Sequence, residues 1–267
     1  NQVFASALNQ VKCAELYAEH QDLLNAGRYF ARAGSAFATV NAFHESAKAY
    51  EKCGDMFAAL KGEFFVEAAK HYKFAAMHYI NPKEKEFVNY ISMFEKTLKS
   101  YEEAKATGNI NERSYILYIT NLYSDVQETL NRNGYYKEEK ELYVEKMDYI
   151  RKGYRLDKKN FGKYIGMSIW KYSCIYGESA VLWSFWIFMQ LLFFSYLFRS
   201  FGLVVKEGMI LSFGESMFFS IDIFATLGFG NYELVSGVAR FVAAMDVISG
   251  YFMMAMLITI FTRKLTR

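Results

Sequence analysis

Residues Thr226-Leu227-Gly228-Phe229-Gly230 alternate two glycines with bulky apolar side chains, directly after a threonine hydroxyl. A tight turn needs one glycine, not a pair around a phenylalanine. A phosphate-cradling loop needs a helix that opens with Lys and Ser or Thr, and Asn231-Tyr232-Glu233 supplies neither. Two other residues stand out. Asp246 is the one charge in an apolar run from Phe241 to Phe261, where a carboxylate is costly and usually functional. Gly250 interrupts the same run, and glycine costs a helix about 1 kcal/mol relative to alanine. The histidines His20, His44, His71 and His78 form no ligand pattern with Cys13, Cys53, Cys174 or the carboxylates. No nucleophile–base set is visible either, so an enzyme, a bound metal centre and an organic cofactor are not expected.

The flanks of the motif say what its backbone could do. Ser179–Phe198 is an uncharged stretch of 20 residues, and Phe241–Phe261 is 21 residues with Asp246 alone charged. A bilayer core of about 30 Å needs about 20 helical residues, so both runs can cross it. A buried helix of a soluble protein rarely runs that far without a polar face. Arg151, Lys152, Arg155, Lys158, Lys159, Lys163 and Lys171 precede the first run, and Arg263, Lys264 and Arg267 follow the second. Between the runs lie only Arg199, Lys206 and Arg240, offset by acids. Positive residues stay inside, so an integral membrane protein with both termini cytoplasmic is expected. The connecting segment is itself too apolar for an ordinary aqueous loop. A helix there that does not cross, followed by extended backbone, is tolerated at membrane depth only when buried in protein or lining a water-filled path.

The order span, re-entrant helix, Thr-x-Gly-Phe-Gly, span resembles the two-transmembrane potassium channels, over about Ser179 to Arg267, roughly a third of the chain. Their filter usually reads Thr-Val-Gly-Tyr-Gly. The resemblance implies a homotetramer, with potassium as the permeant ion. Each ion would exchange its water shell for the carbonyls of Thr226, Leu227, Gly228 and Phe229 and the Thr226 hydroxyl. Glycine suits the positive-φ positions that such alternation demands. Leu227 and Phe229 would turn outward against a pore helix over 213–225, whose negative C-terminal end would favour a cation in the central cavity. There are departures. Ile223 and Ala225 replace hydroxyl residues found in many such channels, Phe229 lacks a tyrosine hydroxyl, and Asn231 stands where an Asp is usual. Asp222 falls where some bacterial channels place a carboxylate behind the filter. An Asp222–Asn231 contact would then control filter collapse; the alternative is a solvated acid at the outer mouth.

Gly250 lies at the distance from Gly230 where such channels carry a gating hinge; close helix packing is the other reading. On that alignment Tyr251, Met254, Ile258 and Thr262 share one face and would line the inner pore. Asp246 could bind cations in the cavity, but it sits off that face. A structural hydrogen bond, with Gln190 as a candidate partner, is the favoured reading.

The remaining chain carries most of the charge, and the single proline, Pro82, favours helices throughout. Tyr29–Val40 aligns with Ala49–Leu60 at an offset of 20 residues, matching Gly34 to Gly54, Phe37 to Phe57 and Ala38 to Ala58. Alternating small and aromatic residues interlock antiparallel helices in solenoids. The stretch resembles tetratricopeptide repeats, in particular those of SNAP vesicle-fusion adaptors, which implies a protein or peptide partner. Asn81-Pro82 reads as a helix start. Within Lys158–Tyr176, residues Phe161, Tyr164, Ile165, Ser168, Ile169 and Tyr172 form an apolar face, and Lys159, Lys163 and Lys171 can reach lipid phosphates. This suits an interfacial helix in contact with membrane lipid. The net charge of +3 gives no case for nucleic acid. The chain begins on Asn1 rather than Met, which points to a piece of a longer protein.

The expected architecture is all-α: a cytoplasmic helical-repeat solenoid (1–150), a linker with interfacial helix (151–175) and a pore domain (176–267). The pore domain would hold a first span over 179–198, a pore helix, a filter over 226–230 and a second span over 238–261. The expected function is potassium-selective conduction regulated by the solenoid. A non-selective cation channel, and a membrane-anchored scaffold with a non-conducting pore, are the alternatives.

Overall fold

The computed structural model describes residues 2–80, 86–228 and 231–265. The chain divides into two compact units, Asn1–Lys159 and Asn160–Arg267. The expected helix start at Asn81-Pro82 and the motif positions Phe229 and Gly230 lie outside the described residues.

The first unit is built of α1 (Gln2–Glu19), α2 (Leu23–Thr39), α3 (Phe43–Leu60), α4 (Phe65–Tyr79), α5 (Phe87–Ala106), α6 (Glu112–Arg132) and α7 (Tyr136–Leu156). Along most of this series each helix packs on its sequence neighbour. The 20-residue offset has a structural counterpart in the turns. Gln21, Asn41 and Lys61 follow successive helices with φ of 62°, 58° and 60°, positive values that take the chain out of the helix. It also appears in the packing. A Cβ on Gly34 would lie 3.0 Å from the Tyr50 ring, and one on Gly54 would lie 2.6 Å from the Tyr72 ring. The two matched glycines therefore each make room for an aromatic ring on a neighbouring helix. Two of the buried tyrosines satisfy their hydroxyls on carboxylates, as apolar surroundings require. Tyr72 donates to Asp55 at 2.7 Å and Tyr79 to Glu51 at 2.8 Å, while Lys96 bridges both carboxylates at 3.1 and 2.9 Å. Since α7 runs to Leu156, the first unit takes in the start of the stretch assigned above to a linker.

The second unit contains α8 (Phe161–Cys174), α9 (Ala180–Ser200), α10 (Phe213–Phe224) and α11 (Gly237–Leu265). Ser179 caps α9 by accepting from the Leu182 amide at 3.2 Å. α9, α10 and α11 pack against one another. Only 28% and 17% of the apolar stretches of α9 and α11 are buried. A core helix of a soluble protein would be mostly buried, so these exposed apolar surfaces fit lipid. The chain therefore has two helices long and apolar enough to cross a membrane. On α8, Phe161, Ile165, Ile169 and Tyr172 are exposed, whereas Trp170 and Cys174 turn inward.

One element has no counterpart in the all-α expectation. Val204–Lys206 (β1), Met209–Ile210 (β2) and Tyr232–Leu234 (β3) form an antiparallel sheet in the order β2-β1-β3. The β1–β2 hairpin closes over Glu207 and Gly208, with φ of 52° and 76°, the paired positive values of a two-residue turn that follows strand twist.

Candidate ion-conduction site

α10 is fixed at both ends. At its start Ser212 and Glu215 form a reciprocal capping box: the Ser212 hydroxyl accepts from the Glu215 amide at 3.3 Å, and the Glu215 carboxylate accepts from the Ser212 amide at 2.9 Å. At its end the Thr226 amide donates to the Ile223 carbonyl at 3.0 Å and the Leu227 amide to the Asp222 carbonyl at 2.9 Å. That pair of bonds is the Schellman closure, and it needs a left-handed residue just past the helix. Thr226 supplies it with φ of 52°. A β-branched residue pays for this geometry, whereas glycine would adopt it freely, so the threonine side chain has a reason to be there.

The backbone next alternates. Gly228 has φ of 71°, and Leu227 between Thr226 and Gly228 is not in the positive region. Alternating the sign of φ can turn successive carbonyls to one side instead of opposite sides, the arrangement a dehydrated cation needs. Thr226, Leu227 and Gly228 are exposed within the chain, and a Cβ at Gly228 would meet nothing within 4 Å. Any enclosure of this backbone therefore comes from outside a single chain. Asp222 is only 6% exposed, so it is not a solvated acid, while Asn231 is exposed.

α11 carries two faces. Tyr251, Met254, Ile258 and Thr262 are all exposed. A second face, through Ala239, Ala243, Asp246, Gly250 and Ile260, is buried. Gly250 has a packing reason: a Cβ there would lie 3.0 Å from the Phe224 ring and 3.2 Å from the Phe224 carbonyl oxygen. α11 thus rests on the last turn of α10, two residues before Thr226. Asp246 is fully buried. It accepts from the Ser220 hydroxyl of α10 at 2.8 Å and from the Gln190 amide of α9 at 3.4 Å. Gln190 also donates to Ser249 at 2.8 Å, and Ser249 donates back to the Met245 carbonyl at 2.7 Å. The carboxylate ties three helices together rather than standing on the exposed stripe. Trp183 of α9 adds a fourth tie, donating from Nε1 to the Met253 carbonyl at 2.8 Å.

Sequence reasoning named Asp246, Gln190 and Gly250 but missed Ser220, Ser249 and Trp183. Ser216 and Ser220 lie one turn apart in α10, whose charged residues are Glu215 and Asp222, and that spacing was the available signal for a polar contact on one face.

A family model described as an ion channel matches residues 180–267, which span α9, α10, the Thr226–Gly230 motif and α11. This part of the chain, about a third of it, is similar to that ion-channel family. No curated protein and no solved structure matches the chain.

Proposed function

We propose that the chain assembles as a homotetramer and conducts potassium passively and selectively through Thr226-Leu227-Gly228-Phe229-Gly230. The observation that carries this reading is the alternation of φ at Thr226 and Gly228, directly after the C-terminal end of a short non-spanning helix set between two membrane-capable ones. Four copies close a ring of carbonyls around the path. Each ion trades its hydration shell for the oxygens of Thr226, Leu227, Gly228 and Phe229, and several weak sites in series let it leave again. The C-terminal end of α10 adds negative potential on the inner side. Below it, Tyr251, Met254, Ile258 and Thr262 line the vestibule, and inner-helix bending near Gly250 opens it. Asp222 supports the filter from behind. Both termini lie in the cytoplasm, α8 rests on the lipid surface through Phe161, Ile165, Ile169 and Tyr172, and the N-terminal unit regulates the gate by binding a protein or peptide.

Potassium efflux from liposomes holding the purified full chain tests the core of this reading. Efflux is expected from the native chain and not from Gly228→Ala, whose Cβ would force a positive-φ residue without glycine's freedom. Absence of efflux together with a monomeric native mass would refute the pore and favour a membrane-anchored scaffold.

A further inference from the structure

The Thr226–Gly230 segment starts on a firm anchor, because the Leu227 amide is bonded to the Asp222 carbonyl of α10 at 2.9 Å. A glycine-rich backbone has much conformational entropy to lose, so its far end needs an anchor too. Asn231 is exposed and Phe229 has no polar side-chain atom. The next residue, Tyr232, opens β3 and supplies that hold in three ways.

First, β3 is stitched to β1. Val204 pairs with Leu234, Val205 with Glu233 and Lys206 with Tyr232, and the Val235 amide continues the ladder to the Leu203 carbonyl at 3.1 Å. The chain emerging from the motif is thereby fixed to the chain that leaves α9. Second, the Tyr232 ring packs on Phe219 of α10 with centroids 4.9 Å apart, and Phe219 packs edge-on against Phe198 of α9 at 5.0 Å. Phe198 and Phe219 are buried, so the ring is seated on an immobile surface. Third, Lys206 Nζ lies 5.7 Å from the centre of the Tyr232 ring, within cation–π reach. Both ends of the motif are therefore referred to the same helix, α10: one by a backbone hydrogen bond, the other by an aromatic contact. Among the described residues the Tyr232 hydroxyl has no hydrogen-bond partner, so the ring and not the hydroxyl makes the contact.

We propose that the outer sheet, keyed by Tyr232 against Phe219, is the clasp that fixes the exit of the Thr226–Gly230 segment and so preserves its discrimination between potassium and sodium. Tyr232 is a positioning residue: it acts through the backbone ahead of it. The proposal rests on the potassium-channel reading above.

The test uses the full chain in liposomes and reads the potassium-to-sodium permeability ratio. Tyr232→Phe keeps the ring and is expected to retain the native ratio. Tyr232→Ala removes an aromatic pair and is expected to lower the ratio by up to about tenfold, the shift such a pair can make in the balance between ordered and relaxed segments. Val204 and Leu234 face each other across the ladder, and antiparallel neighbours come within disulfide reach. Val204→Cys with Leu234→Cys, oxidised, is therefore expected to restore the ratio in Tyr232→Ala, and reduction to remove it again. A native ratio in Tyr232→Ala, a loss in Tyr232→Phe as large as in Tyr232→Ala, or failure of the crosslink to rescue would each overturn the clasp while leaving potassium conduction standing. A native chain without potassium preference overturns the reading beneath it instead. If Tyr232→Ala does not assemble, the crosslink is placed in the otherwise native chain. Conduction retained after oxidation then supports the clasp, and conduction abolished overturns it.

Discussion

Removing the Asp246 carboxylate should loosen the packing of α9, α10 and α11 rather than alter a cation site in the vestibule. Asp246→Ala leaves the Ser220 hydroxyl, now 2.8 Å from a missing acceptor, without its partner in a fully buried place. Polar pairs between membrane helices couple by about 0.6 kcal/mol on average and up to about 1.7 kcal/mol. A charged acceptor at short range belongs near the top of that range, so the double-mutant cycle of Asp246→Ala with Ser220→Ala should give about 1–2 kcal/mol. The longer Gln190 contact of 3.4 Å should give less, about 0.5 kcal/mol. The assay is unfolding free energy in mixed detergent for the native chain, both single variants and the double variant. In parallel, conduction is measured with polyvalent cations on the cytoplasmic side. The buried tie predicts measurable coupling and no change in cation block in Asp246→Asn. Coupling below about 0.3 kcal/mol, with block abolished in Asp246→Asn, would refute the reasoning and put the carboxylate in the pore.

Other expectations follow from particular contacts. Gly250→Ala brings a Cβ within 3.2 Å of the Phe224 carbonyl, and overpacking by about 1–3 kcal/mol outweighs the roughly 1 kcal/mol of helix propensity gained. Reduced stability and reduced efflux are expected, against Gly166→Ala, which meets open space, as control. Gly54→Ala drives a Cβ to 2.6 Å from a Tyr72 ring that its hydroxyl bond to Asp55 holds in place; it should destabilise the N-terminal unit by about 1–3 kcal/mol, read from hydrogen exchange of α3 and α4. His71 stacks on Phe57 and Tyr50, and burial holds its pKa below the ordinary imidazole value, with Glu67 pulling weakly the other way. The unfolded chain therefore binds the proton more readily, so stability is full above about pH 6.5 and declines as pH falls through the range below it. Protection of α4 amides, corrected for intrinsic exchange, should drop on going from pH 7.5 to 5.5, and His71→Gln should flatten that dependence.

The long helices of the second unit were legible because lipid and water impose coarse rules. Two long apolar runs became α9 and α11, since length and the lack of charge leave a membrane helix few alternatives. Asp246 with Gln190 was legible for a related reason: a carboxylate in such a run must find a polar neighbour, and few exist. The outer sheet was not legible. Its strands are two or three residues long, too short for alternation to register, and β3 pairs with a strand on the far side of α10. Only Glu207-Gly208, between Val205-Lys206 and Met209-Ile210, hinted at a hairpin. The same limit hid the Tyr232–Phe219 contact, because Phe219 belongs to a helix that sequence spacing alone does not bring near. Gly250 could be read two ways from sequence, and only the distance to Phe224 supplied a packing reason. In the N-terminal unit the 20-residue match of Gly34 and Gly54 was visible, whereas the matched turns at Gln21, Asn41 and Lys61 were not, since none of the three is glycine.

The most direct measurement is the reversal potential across a bilayer holding the purified chain, with potassium on one side and sodium at equal concentration on the other. The account predicts a reversal potential well toward the potassium side, and no current in Gly228→Ala. A reversal potential of zero, with conduction intact, would contradict potassium selection by the Thr226–Gly230 backbone.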